Sequence, residues 1–188
     1  MVEEKIIEII GKYQEAFSGK EIVDESAESD ILMEIFGITH EMKKTNMQYW
    51  GRELGKCWEK IIQSVFSEQK GYGGGIREGG DEICDCVYGK KAIEAKYRVG
   101  SGDSGTLKKF KQYAQRIKDA GYEPIMLFLR EDNLPAAMTA CKHGGWTVLI
   151  GKDCFDFIKK ETKFELDVFL KSLKGKSLLK KKTQTKLS

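Results

Sequence analysis

The chain has 188 residues, 40% hydrophobic and 32% charged, which describes one folded domain large enough for a real core. No apolar stretch approaches the roughly 18 to 20 residues a membrane span needs, and the acidic, amphipathic start "MVEEKIIEII" does not read as a secretion signal. The net charge of +3 is unevenly spread: residues 1–41 hold eleven acids against three lysines, whereas "KSLKGKSLLKKKTQTKLS" (171–188) holds seven lysines and no acid.

In chain order, "VEEKIIEIIGKYQEAF" sets Ile6, Ile9, Ile10, Tyr13 and Phe17 at helical spacing, and "ILMEIFGI" follows a polar connection as a short helix. A longer helix is expected over "NMQYWGRELGKCWEKIIQSVFSEQ", capped by Asn46, with Trp50, Leu54, Trp58, Ile61 or Ile62, and Val65 in one stripe. Gly51 and Gly55 weaken that helix by up to about 1 kcal/mol each, which implies a close approach of another backbone. "KGYGGGIREGG", with six glycines in eleven residues, reads as a mobile loop. "EICDCVY" and "AIEAKYRV" alternate with period two and form a hairpin around "GKK". After the loop "GSGDSG", "TLKKFKQYAQRIKDAG" is a helix with Leu107, Phe110, Ala114 and Ile117 inward and Gly121 as its stop. "PIMLFL" is a central, doubly covered strand, "NLPAAMTACKHGG" a helix, "WTVLIG" a second buried strand, and "KDCFDFIKKETKFELDVFLKSL" one or two closing helices. The order β-β-α-β-α-β-α from the hairpin onward predicts an α/β fold with a mixed sheet between helices.

The five cysteines lack disulfide spacing, which favours a reducing cytoplasm, and Cys84 and Cys86 are expected as small buried strand residues. The chemistry concentrates in the hairpin. Period two puts Ala92, Glu94 and Lys96 on one face, and a short turn brings Asp85 near Glu94. Paired carboxylates repel unless a positive charge sits between them, and hard oxygen ligands of this kind suit Mg²⁺. Lys96 projects toward the same place, where it can polarise a water or neutralise charge on a phosphorane-like transition state. Acid-x-Lys also occurs at Glu3, Glu41, Glu68 and Glu161, and Glu161-Thr162-Lys163 even has Asp153 and Asp156 upstream. That rival lies in helical sequence, so its groups should scatter over helix faces.

Asp85 with Glu94-Ala95-Lys96 resembles the motif of the PD-(D/E)XK nuclease superfamily, over roughly Tyr49 to Ile150, with Cys84 where the motif has proline. The resemblance implies a restriction-endonuclease-like core, Mg²⁺ held by Asp85, Glu94 and the Ala95 carbonyl, and catalysis by Asp85, Glu94 and Lys96. Another acid on the preceding helix is implied, either Glu59 in "GKCWEKII" or Glu53 in "GRELG". Size and organisation look like a Type II restriction endonuclease, and "NMQYWGRELGKCWEK" is similar to the ApaLI-like group. That implies cutting of double-stranded DNA to leave 5′-phosphates, by a homodimer suited to a two-fold site. A repair or junction-resolving nuclease, or an inactive DNA-binding relative, is the alternative.

The division expected is an N-terminal helical extension over 1–45, a nuclease core over 46–170 and a basic tail over 171–188. The tail reads as a solvated terminus or a phosphate-following arm. Tyr72 and Arg77 in the glycine-rich stretch, Arg98 after the hairpin, and Lys109 and Gln112 on the next helix are candidate DNA contacts. His143 reads as a helix-end group rather than a base.

Overall fold

The computed structural model describes residues 1–17, 29–99 and 104–176. Four helices come first: α1 (Val2–Phe17), α2 (Ile31–Phe36), α3 (His40–Thr45) and α4 (Met47–Ser67). Ile6 and Ile10 of α1 are fully buried; the Phe17 side chain lies outside the described residues. α2 starts because the Asp30 carboxylate accepts the N–H groups of Leu32 at 3.0 Å and Met33 at 3.1 Å, and it stops at Gly37, whose φ is 64°. Asn46 caps α4 as expected, accepting the Tyr49 N–H at 3.1 Å. The predicted stripe of Trp50, Leu54, Trp58, Ile61, Ile62 and Val65 is buried.

Next comes a meander of β1 (Tyr72–Glu78), β2 (Asp81–Tyr88) and β3 (Lys91–Lys96), antiparallel throughout. The glycine-rich stretch is therefore a strand, not the loop its composition suggests. The reason lies in its neighbour: a side chain at Gly73 would meet Val87 Cγ2 at 2.6 Å, and one at Gly75 would meet the Cys84 carbonyl at 2.5 Å. Glycine is what lets this strand lie close against β2. Gly51 differs in the opposite sense, since nothing lies within 4 Å of where its Cβ would be, while Gly55 merely touches Tyr97 Cβ at 3.9 Å. Among the described residues no close backbone approach to α4 at these two glycines is found.

The remainder alternates: α5 (Ser104–Asp119), β4 (Glu123–Phe128), α6 (Pro135–Gly144), β5 (Thr147–Ile150), α7 (Lys152–Thr162) and α8 (Leu166–Ser172). The five strands stand in chain order, with β3, β4 and β5 parallel. β4 is covered on both faces, as predicted: Ile125 and Leu127 face α1–α4, α7 and α8, while Met126 and Phe128 face α5 and α6. β5 departs from expectation, because it is an outer strand with no fully buried residue. Helix α5 begins two residues before "TLKK" and ends at Asp119, two residues before Gly121 (φ 84°); the Leu107 side chain and residues 100–103 of the expected loop lie outside the described residues.

Residues 171–176 are not a free arm. Leu173 is buried in the main core, Lys171 pairs with Asp167 at 3.4 Å, Lys174 pairs with Glu34, and Gln14 donates to the Lys176 carbonyl at 2.8 Å. Residues 177–188 of the lysine-rich tail lie outside the described residues. All five cysteines are buried free thiols. No helix among the described residues is long and apolar enough to cross a membrane.

Candidate active site

Two residues, Gly89 and Lys90, turn β2 into β3, one fewer than the three expected, and Gly89 supplies the positive φ of 56° that such a turn demands. The pairing runs Tyr88↔Lys91, Val87↔Ala92 and Cys86↔Ile93 and then stops. Here the Asp85 side chain takes over from the main chain, accepting the Ala95 N–H on Oδ2 at 2.6 Å. In an extended strand the N–H and C=O of one residue point the same way, so the Ala95 carbonyl is on the β2 edge of β3, as its N–H is. Lys96 shows the alternation, its carbonyl accepting Leu129 N–H at 3.0 Å on the β4 side.

Glu94 and Lys96 share a face, and the Lys96 ammonium pairs directly with Glu94 Oε1. Their side chains are 13% and 34% exposed, and Asp85 as a residue is 8% exposed. Burial, then the nearby Glu94 carboxylate, raises the Asp85 pKa to about 8. Burial also raises Glu94, against the pull of Lys96. Burial alone would lower Lys96, but Glu94, Asp85 and Glu59 outweigh it and the net shift is upward, so the amine stays protonated at neutral pH. The site is short of positive charge. Two carboxylates and a main-chain carbonyl are hard oxygen donors of the kind Mg²⁺ takes when it keeps several waters. Among the described residues no group of three or more His, Cys, Asp or Glu side chains is gathered closely enough to hold a metal by itself.

Of the two acids weighed on α4, Glu59 is the one directed here, acting electrostatically on Asp85, Glu94 and Lys96. Glu53 instead pairs with Arg52 at 3.1 Å and Lys56 at 3.7 Å on the helix surface. One residue of the cluster escaped the sequence reading. The Gln63 side-chain amide donates to Glu59 Oε1 at 3.3 Å and to the Asp85 carbonyl at 3.2 Å. Its signal was present in its position four residues after Glu59, one helical turn along the same face.

The candidate DNA contacts are dispersed. Tyr72 pairs with Tyr88 beside the hairpin turn, at the end of β2 away from Asp85, so it is not brought to the cluster. Arg77 lies past Asp85, opposite Glu82, paired with it at 3.6 Å and largely exposed. Arg98 is engaged by Asp132 at 2.9 Å. Lys109 and Gln112 are exposed on α5. The rival acid set scatters as expected: Glu161 pairs with Lys91 at 3.2 Å, Asp156 with Lys152, and Lys163 ends α7 in a left-handed conformation. His143 lies in the last turn of α6.

A cavity of about 680 Å³ opens at the carboxyl ends of β4 and β5, lined by Asp30, Arg130, Asp132, Lys152 and Phe155 among others. None of Asp85, Glu94, Lys96 or Glu59 lines it, so it is separate from the carboxylate cluster. A family model described as ApaLI-like restriction endonuclease matches residues 47–175, from the start of α4 to just beyond α8. The chain belongs to this family. No curated protein and no solved structure matches it. The matched segment of this ApaLI-like endonuclease contains the whole sheet and every residue of the cluster, and it leaves α1–α3 outside. Membership makes the chain a nuclease of restriction type with DNA as its substrate.

Proposed function

We propose that the protein is a Type II restriction endonuclease that hydrolyses phosphodiester bonds at specific sequences in duplex DNA, with Mg²⁺, through a PD-(D/E)XK-type centre. The observation that carries this reading is the convergence of Asp85, Glu94 and Lys96 at the point where β2 leaves β3. The donor set fits the ion: the Glu94 carboxylate raises the Asp85 pKa, Glu59 and Glu82 raise that of Glu94, and a divalent cation relieves such repulsion. Asp85, Glu94 and the Ala95 carbonyl would hold it. Bound there, Mg²⁺ supplies Lewis-acid polarisation of the scissile phosphate and a more acidic water.

The chain's own groups do the rest. Lys96 is protonated and tethered to Glu94, so it cannot accept a proton. Its task is to donate a hydrogen bond that orients the attacking water and to face the charge that grows on the phosphoryl oxygens. Glu59 adds a carboxylate from α4. In an in-line displacement the water oxygen bonds phosphorus as the bond from phosphorus to the 3′ oxygen breaks, and that oxygen takes up a proton. The products are a 5′-phosphate and a 3′-hydroxyl. Exposed Arg77, Lys109 and Gln112 are the side chains available to the duplex, and a two-fold homodimer matches a palindromic site.

The test is cleavage of plasmid DNA by wild type, Glu94→Ala and Lys96→Ala, each with Mg²⁺ and with EDTA. Discrete fragments from the wild type with Mg²⁺ alone, and none from the variants, are expected. Equal cleavage by all three proteins, or cutting confined to branched DNA, overturns the proposal.

A further inference from the structure

We propose that Gln63 is a positioning residue, holding the Glu59 carboxylate and the Asp85 main chain in fixed relation; this rests on the nuclease function proposed above. Gln63 is half-buried on α4, one turn after Glu59 and between fully buried Ile62 and buried Ser64. Its Nε2 faces two oxygens, Glu59 Oε1 at 3.3 Å and the Asp85 carbonyl at 3.2 Å. A primary amide carries two N–H donors on that nitrogen and none on its oxygen. Reversing the amide would set three oxygens against one another, so chemistry fixes its orientation.

Asp85 is thereby held at both ends. Its carboxylate is fixed by the Ala95 N–H at 2.6 Å and its main chain by the Gln63 amide. This matters because the pairing of β2 with β3 ends at Cys86↔Ile93, one residue short of Asp85. Gln63 links α4 to β2 where the pairing of β2 with β3 ends, while β1 still pairs with β2 on its other edge. The same amide donates a hydrogen bond to Glu59, whose charge bears on Asp85, Glu94 and Lys96. Gln63 touches neither the reacting phosphate nor the water.

Two variants test this. Gln63→Met keeps length and bulk without a donor, and Gln63→Glu keeps the planar head but sets a second carboxylate against that of Glu59 and against the Asp85 carbonyl. Both are expected to fold, melting within about 4 °C of wild type, and to bind duplex DNA in EDTA with unchanged affinity by fluorescence anisotropy. Mg²⁺ affinity by calorimetry is expected to fall roughly 10- to 100-fold, as it does when partners that orient metal ligands are removed. Single-turnover cleavage at saturating DNA should slow in both variants while the DNA affinity holds, a loss in kcat and not in KM. If Gln63→Met fails to fold, Gln63→Glu carries the test. Wild-type Mg²⁺ affinity and single-turnover rate in the folded variants, with an active wild type, overturn the role of Gln63 alone. A wild type without Mg²⁺-dependent cleavage overturns the function, and this role with it.

Discussion

The Asp85 carboxylate accepts the main-chain N–H of Ala95, ten residues further along the chain, at 2.6 Å. An asparagine can make the same bond through its amide oxygen, so Asp85→Asn should fold. It also removes a buried charge held near Glu94. Because the Asp85 pKa is raised from 3.8 to about 8, its contribution to stability is complete below pH 4 and lost as pH climbs toward 8. At pH 8 without divalent ions, Asp85→Asn should therefore melt above the wild type. Added Mg²⁺ should raise the melting temperature of the wild type alone, and the variant should not cleave. Scanning fluorimetry reads all but the last, and a Mg²⁺ response retained in Asp85→Asn would contradict the ligand assignment.

Glu59 and Glu53 make a matched control on one helix. Glu59→Gln should slow cleavage by roughly ten-fold or more, since it removes a charge acting on all three central groups. Glu53→Gln should leave the rate unchanged and alter stability by no more than about 0.5 kcal/mol, being a surface pair. Single-turnover rates on a plasmid substrate decide between them, and equal losses would move the site.

The glycines give opposite expectations. Gly75→Ala forces a methyl group to within 2.5 Å of the Cys84 carbonyl and 2.6 Å of Glu82 Oε1, and should cost roughly 1–3 kcal/mol. Gly51→Ala adds a helix-favouring methyl in open space and should stabilise by up to about 1 kcal/mol. Urea midpoints of the two variants should move in opposite directions from the wild type.

Lys43 is the group to follow at alkaline pH. Its amine donates to the Tyr97 hydroxyl at 2.9 Å amid Asp30, Asp132, Arg98 and Arg130. Burial and then Arg130 depress its pKa from 10.5 to about 8. Below pH 8 the folded state bears the cost of the charged amine. Between 8 and 10.5 the folded state sheds the proton before the unfolded chain does, so stability rises with pH. Relative to Lys43→Met, the wild type should gain stability across that window. Parallel urea curves at both ends of the window would refute the assignment.

Local pattern was enough wherever one element settled the outcome alone. The apolar stripe of α4, its Asn46 cap and the two-residue period of "AIEAKYR" needed no partner to be read, and that period alone puts Glu94 and Lys96 on one face of β3. What eluded reading depended on a distant neighbour. Gly73 and Gly75 belong to a strand only because Val87 and Cys84 lie against them. The setting of "GKCWEKII" favours Glu59 over Glu53 on paper, but what Glu59 meets, the Gln63 amide that also reaches the Asp85 carbonyl, depends on the fold. "WTVLIG" has the composition of an inner strand, yet among the described residues no sixth strand encloses it.

Asp30 caps α2 with one carboxylate oxygen and, with the other, accepts from the Tyr97 hydroxyl and from Arg130 at 2.8 Å, the Asp30 and Arg130 side chains each being 10% exposed. Tyr97 directly follows Lys96. The leading helices thus share with the endonuclease half the neutralisation of Arg130, which also pairs with Asp132 at 2.6 Å. A relative that discarded them would keep Asp132 for the arginine but leave the buried Tyr97 hydroxyl without this acceptor, so across evolution Asp30 and Tyr97 should be kept or lost as a pair.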